Sequence, residues 1–315
     1  MTKTSRRTFL KSSATTACSL GLSGSSLAGA WDRSSASASS IAPAAPIRAA
    51  ATLSLKKGLV MDMLPEKLSI ADRFQLAKNV GFEVVQAPTT FEEHAAEEIK
   101  TAADKAGIHI DSVMNMAHWK YPLSSGDSAV VEASLNSMRT SLHNAKLWGS
   151  DVVLLVPAVV NPQTPYRDAW TRSQIQIRKL LPLAAELKIV IAIEEVWNKF
   201  LLSPLEMVTY IEEFKSPWVK AWLDVGNVLL YGYPQDWIRT LGKQIVKVHI
   251  KDFKRGDGTY AFVNLGDGDA DWPVVRQAFA DTGYNGSAIV ELDGGDEAYL
   301  RDVSQRFDHL VLGRT

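Results

Sequence analysis

From residue 53 onward, short apolar runs alternate with longer segments in which apolar residues recur at helical spacing. The first kind reads as a strand buried on both faces, the second as a helix with one apolar face. Strands are predicted over 56–64, 82–88, 108–115, 151–160, 189–193, 219–226, 245–253 and 287–293. Helices are predicted over 69–81, 91–107, 128–149, 167–187, 204–214, 235–241, 272–282 and 296–312. Gly81, Gly107 and Gly149 stand where the first three helices stop. Residues 254–271 read as a long polar loop after the seventh strand. Eight strand–helix units in about 260 residues is the count and length of a single-domain α/β protein of (β/α)8 barrel type. An open doubly wound sheet would instead carry a glycine-rich phosphate loop after an early strand, and the sequence has none.

The chain before residue 53 follows a different rule. Ser5-Arg6-Arg7-Thr8-Phe9-Leu10-Lys11 is a twin-arginine export signature, followed by a weakly apolar stretch and a small-residue cleavage site at Ala28-Gly29-Ala30. Residues 1–30 are therefore expected to be a signal peptide read by the twin-arginine export machinery. Residues 31–52, rich in Ser, Ala and Pro, are expected to be a flexible linker, and 53–315 the folded domain. The expected location is periplasmic or secreted. The apolar part of the signal is too short to remain as a spanning helix, and no membrane span is expected in the mature part. Cys18 is the only cysteine, so a chain cut after Ala30 has no thiol and forms no disulfide. With 46% hydrophobic residues and a net charge of −1, the 315-residue chain lacks the basic stripe of a nucleic-acid binder.

The candidate chemistry lies where four successive apolar strands end. Glu194 and Glu195 follow Ile189–Ile193, Asp224 follows Leu223, His249 follows Val248, and Glu291 follows Val290. Strand side chains alternate between faces, and counting by twos turns Glu194, Asp224, His249 and Glu291 into the barrel; Glu195 falls on the other parity and becomes the strand-five ligand only where the strand bulges. All four lie at the C-terminal mouth, where barrel enzymes keep their sites. Three carboxylates and one imidazole suit one divalent cation of the Mn²⁺, Mg²⁺ or Co²⁺ kind, with Mn²⁺ favoured. The bland alternative is a buried ion-pair network with Lys247, Lys251 and Lys220. Four such groups on consecutive strands favour the cation, since clustered buried acids are costly without one.

These strands carry a resemblance. The strings IEEVWNKFLLSP, LDVGN, VHIKDF and VELD resemble those of the sugar phosphate isomerase/epimerase superfamily, the xylose-isomerase-like barrels. The HWKYPLSS segment from His118 resembles the substrate-side loop of that group. The resemblance implies that Glu194, Asp224, His249 and Glu291 hold one divalent metal, and that Glu194 and Glu291 move the proton. It implies isomerisation or epimerisation of a keto-sugar by proton removal beside the carbonyl, through an enediolate stabilised by the metal. Asn227 stands where ketose 3-epimerases have a substrate-contacting His.

Several residues near the mouth have two readings. His118 either binds substrate or caps its loop. Trp119, Trp197 and Trp222 either stack on a sugar face or pack. Lys251 either polarises a substrate oxygen or pairs with Asp224 or Asp252. Asn198 and Lys199 either reach the mouth or are solvated. Lys247, one layer deeper, reads as structural. His94, His143 and His309 read as surface residues, and the Gly266–Asp271 run as a flexible active-site loop. Competing functions are a metal-dependent lyase or dehydratase on 3-keto-glycosides or polyols, a glycoside hydrolase, and a non-catalytic sugar-binding barrel. The substrate is expected to be an unphosphorylated carbohydrate, and homo-oligomer formation is left open.

Overall fold

The computed structural model describes residues 52–256 and 258–314. The twin-arginine signature, the cleavage site and the linker up to residue 51 lie outside the described residues.

Eight parallel strands close into a barrel: β1 (Lys56–Val60), β2 (Val84–Pro88), β3 (His109–Met114), β4 (Val152–Leu155), β5 (Val190–Glu194), β6 (Val219–Asp224), β7 (Ile245–Ile250) and β10 (Ser287–Val290). Around the wall they run β1-β10-β7-β6-β5-β4-β3-β2. The helices are α1 (Ile70–Asn79), α2 (Glu93–Ala106), α3 (Ser128–Trp148), α4 (Tyr166–Leu187), α5 (Pro204–Glu212), α6 (Val225–Val228), α7 (Pro234–Leu241), α8 (Trp272–Thr282) and α9 (Glu297–Leu310). The eight-unit reading of the sequence therefore holds. Ile191, Ile193, Leu223, Val248 and Val290 are buried. By strand alternation they lie on the side away from the barrel axis, toward the helices. Gly149, in the left-handed region at φ 74°, ends α3 as expected.

Two expectations need correction. The first strand stops at Val60, and Met61–Met63 turn into a short 3-10 helix. The segment read as a polar loop holds an antiparallel hairpin, β8 (Asp252–Gly256) against β9 (Thr259–Val263). Thr-Tyr-Ala-Phe-Val is a β-branched and aromatic run able to pair, and Gly256 (φ 133°) and Gly258 (φ 76°) supply the turn.

The rest of that segment is gathered around one buried carboxylate. Asp252 accepts hydrogen bonds from the backbone N–H of Phe253 (2.9 Å), Gly266 (2.9 Å) and Ala270 (3.2 Å) and from the Trp272 indole (3.1 Å). A Cβ at Gly268 would collide with Asp252 Oδ1, so the loop passes this close only as glycine. At the opposite end of the barrel, Lys247 pairs with Asp111 at 2.7 Å, and Ser287 donates to Asp111 at 2.9 Å. Lys247 is structural, as its depth implied.

Candidate metal centre

The four strand-end residues converge. Glu194, Asp224, His249 and Glu291 each offer one ligand atom, and these atoms all lie within 4.8 Å of one another. Glu194, Asp224 and His249 are fully buried, while the Glu291 side chain keeps 13% exposure toward the mouth. His249 Nδ1 lies 2.7 Å from Glu194 Oε1, 3.0 Å from Glu291 Oε2 and 3.8 Å from Asp224 Oδ2. Lys251 Nζ bridges Asp224 Oδ2 and Glu291 Oε2, each at 2.7 Å. Parity had placed every one of these side chains inward.

Asp224 also ends its strand. Its Oδ1 accepts from the N–H groups of Gly226 (2.9 Å) and Asn227 (3.0 Å), capping the short α6. The other oxygen, Oδ2, is the one that meets Lys251. Glu195 lies behind the cluster rather than in it. Its Oε1 accepts the Asp224 N–H at 2.9 Å, and its backbone oxygen accepts from Asn227 Nδ2 at 3.1 Å. Asn227 thus joins the ends of β5 and β6 through its amide.

Burial together with charge crowding sets the protonation states. Burial, then the charges of Asp224 and Glu194, hold the Glu195 carboxyl well above the usual carboxylate range. Burial also raises Asp224, with Lys251 and His249 pulling it back. For His249, burial disfavours the imidazolium, but the charges and hydrogen bonds of Glu291 and Glu194 outweigh it and lift the pKa to about 9.

The donor set fits a hard divalent cation. Three carboxylates and one imidazole, with ligand atoms within 4.8 Å of one another, match the donor preferences of Mn²⁺, Mg²⁺ or Co²⁺. The imidazole is already oriented for it. With Nδ1 turned to the acids, Nε2 lies 2.8 Å from Gln86 Oε1, an arrangement typical of a metal-bound histidine with an outer partner.

The remaining sequence candidates take varied places. His118 is buried, its Nδ1 is 2.9 Å from the Asn115 carbonyl, and its ring tilts against Trp119 at 4.8 Å. Trp197, half-buried, donates to the Asn227 carbonyl at 2.9 Å and stacks on Phe262 of the hairpin at 4.9 Å and 14°. The Lys251 ammonium sits 5.0 Å from the same Phe262 ring. Asn198 is buried, and its amide donates to the Ala158 carbonyl. Trp222 is fully buried with its ring edge-on to His249 at 4.7 Å, so it packs beneath the site and offers no sugar-stacking face. Lys199, His94, His143 and His309 are exposed. Two residues at the site escaped the sequence reading. Phe262 lay in the supposed loop. Gln86 carried a signal, since a polar residue inside the apolar VVQAP strand must find a buried partner.

Comparison with known proteins assigns the family and the fold. The model of the xylose isomerase-like TIM barrel matches residues 74–308. The chain belongs to that family. Within it, the chain is 24% identical over 246 residues to L-ribulose-5-phosphate 3-epimerase UlaE of Escherichia coli O1:K1, covering 75% of this chain and 86% of that one. Two solved structures of similar fold are a D-tagatose 3-epimerase-like protein and the Escherichia coli 3-keto-D-glucoside 4-epimerase YcjR. The first has a TM-score of 0.70 and 16% identity, covering 82% of this chain and 98% of that one. The second has a TM-score of 0.68 and 17% identity, covering 79% and 97%. Among the described residues no helix is long and apolar enough to cross a membrane.

Proposed function

We propose that this chain is a divalent-metal-dependent epimerase or isomerase of a keto-sugar that moves a proton at the carbon beside the carbonyl. The observation that carries this is the convergence of Glu194, Asp224, His249 and Glu291 at the barrel mouth. The epimerase relatives of the same family support the reaction class.

Held by these four residues, a divalent ion, Mn²⁺ by preference and Mg²⁺ or Co²⁺ as substitutes, supplies Lewis-acid polarisation of the carbonyl and a neighbouring hydroxyl. The protein supplies the proton transfers. Glu194 on β5 and Glu291 after β10 flank β6 and β7, so the two acids reach the centre from different directions along the wall. Epimerisation needs that: one carboxylate takes the proton from one face of the carbon, and the other acid returns a proton to the opposite face. The electron pair left behind delocalises onto the carbonyl oxygen until the second proton arrives. Glu291 retains an opening toward the mouth, and Lys251 beside it presents an ammonium to a substrate oxygen. Trp197 and Trp119, both half-buried, offer aromatic surface to a sugar, while buried His118 supports the Trp119 ring and Asn198 and Asn227 hold the neighbouring loops.

The substrate class that fits is an unphosphorylated keto-sugar or 3-keto-glycoside, met in the periplasm after twin-arginine export. The export signature supports the location, and an exported enzyme suits an unphosphorylated sugar better than a cytoplasmic phosphosugar. The test is metal analysis of the purified protein, then incubation of the Mn²⁺-loaded enzyme with keto-sugars and 3-keto-glucosides in deuterated water. Deuterium at the carbon beside the carbonyl, in products that keep all their substituents, is the expected result. Release of an aglycone or of water would make the enzyme a lyase. A protein that takes up no metal and exchanges no proton would end the reading.

A further inference from the structure

Gln86 is fully buried, 163 residues from His249 in sequence, and reaches it from across the barrel. It stands on β2, separated from β7 around the wall by β1 and β10. Its Oε1 lies 2.8 Å from His249 Nε2. On its other side the imidazole meets Glu194 and Glu291 through Nδ1, and Trp222 packs edge-on against the ring. Among the described residues the Gln86 Nε2 atom has no hydrogen-bond partner. The bond to His249 is therefore the contact that orients the amide.

We infer that Gln86 is a positioning residue that aims His249 at the metal, an inference that rests on the metal-dependent reading above. An imidazole offers two nitrogens, and only one can face the carboxylates. A ring that coordinates through Nδ1 must keep its proton on Nε2, and that proton, on a fully buried ring, needs an acceptor. Gln86 Oε1 is that acceptor. Without it, the ring would bury an unsatisfied N–H or turn it toward the acids, withdrawing the only nitrogen donor of the set. Outer partners of this kind typically change metal affinity by about 10–100-fold when removed.

The test measures Mn²⁺ binding to the full-length protein by electron paramagnetic resonance, with the nitrogen hyperfine coupling of the bound imidazole as second readout. Gln86→Met keeps the volume and removes the acceptor. Expected is Mn²⁺ binding weaker by about 10–100-fold, with nitrogen coupling reduced or lost. Gln86→Glu replaces the amide by a stronger acceptor and is expected to bind at least as tightly as wild type, with nitrogen coupling retained. The Glu variant keeps the test decisive if the Met variant does not fold. Wild-type affinity and coupling in Gln86→Met, or loss of coupling in a folded Gln86→Glu, would overturn the inference and leave the metal reading standing. Failure of the wild type itself to bind Mn²⁺ would overturn both.

Discussion

His249 and Glu194 meet at 2.7 Å with neither side chain exposed to solvent. In the absence of an ion this is a buried charged pair, and it makes stability and metal binding depend on pH in opposite senses. The folded-state pKa of His249, about 9, lies above its ordinary value of 6.5. The native state therefore holds this proton more tightly than the unfolded chain. The resulting stabilisation is fully present below about pH 6.5 and is lost as the pH climbs through about 9. Glu195, also raised, acts in the same direction. The melting temperature of the metal-free protein is expected to fall across that window. An ion at Nδ1 must displace the proton, so apparent Mn²⁺ affinity should rise there by up to about tenfold per pH unit. Calorimetric scans with and without Mn²⁺ at several pH values check both slopes. Curves that run parallel would contradict them.

Lys251 has a role that depends on whether an ion is present. Its ammonium touches Asp224 and Glu291 at 2.7 Å, and all three side chains are mostly or fully buried. Lys251→Met leaves two carboxylates without that cation. Removing one member of a buried pair typically costs about 3–5 kcal/mol. The metal-free variant should unfold at a markedly lower temperature, and saturating Mn²⁺ should restore more stability to it than to wild type. Thermal unfolding with a Mn²⁺ series measures this. An equal metal-induced shift in both proteins would mean that Lys251 does not share the charge of the site.

Asp252 is placed differently, since it binds the hairpin segment rather than the ion. Its carboxylate accepts from four donors, two per oxygen. Asp252→Asn keeps the shape but points an NH2 at two N–H groups, replacing attraction by repulsion. A loss of about 2 kcal/mol or more is expected. Faster amide hydrogen exchange should be concentrated in residues 253–271. Exchange that rises evenly over the barrel would instead indicate general destabilisation.

The positions of the metal candidates were legible because strand parity is strict. Ile193 cannot face the axis when Glu194 does, and the same alternation fixed Asp224, His249 and Glu291. The duties of Asn198, Asn227 and Glu195 were not legible, because they depend on which backbone groups two loops bring together. Asn227 donates to the Glu195 carbonyl across the ends of two paired strands, β5 and β6, a contact that local spacing does not encode. Gln86 was passed over: a polar residue in the apolar VVQAP run signals a buried partner, but not that the partner lies on β7. The hairpin was missed because Gly, Asp and Lys around it masked a five-residue pairing run, Thr259–Val263.

The two proposed proton carriers differ in a way that kinetics can read. Glu194 is fully enclosed, whereas Glu291 borders the mouth. If each serves one face of the substrate carbon, replacing either by Gln stops epimerisation without stopping every proton transfer. At saturating Mn²⁺, Glu194→Gln and Glu291→Gln should each lower turnover by about 10³-fold, within the usual 10²–10⁴ range for acid–base catalysis. Each variant should still wash deuterium into one epimer, the one whose C–H faces the surviving carboxylate, and the two variants should choose opposite epimers. Nuclear magnetic resonance of both sugars in deuterated water reads the exchange directly. Exchange lost from both epimers in one variant and kept in both by the other would show a single base acting on both faces.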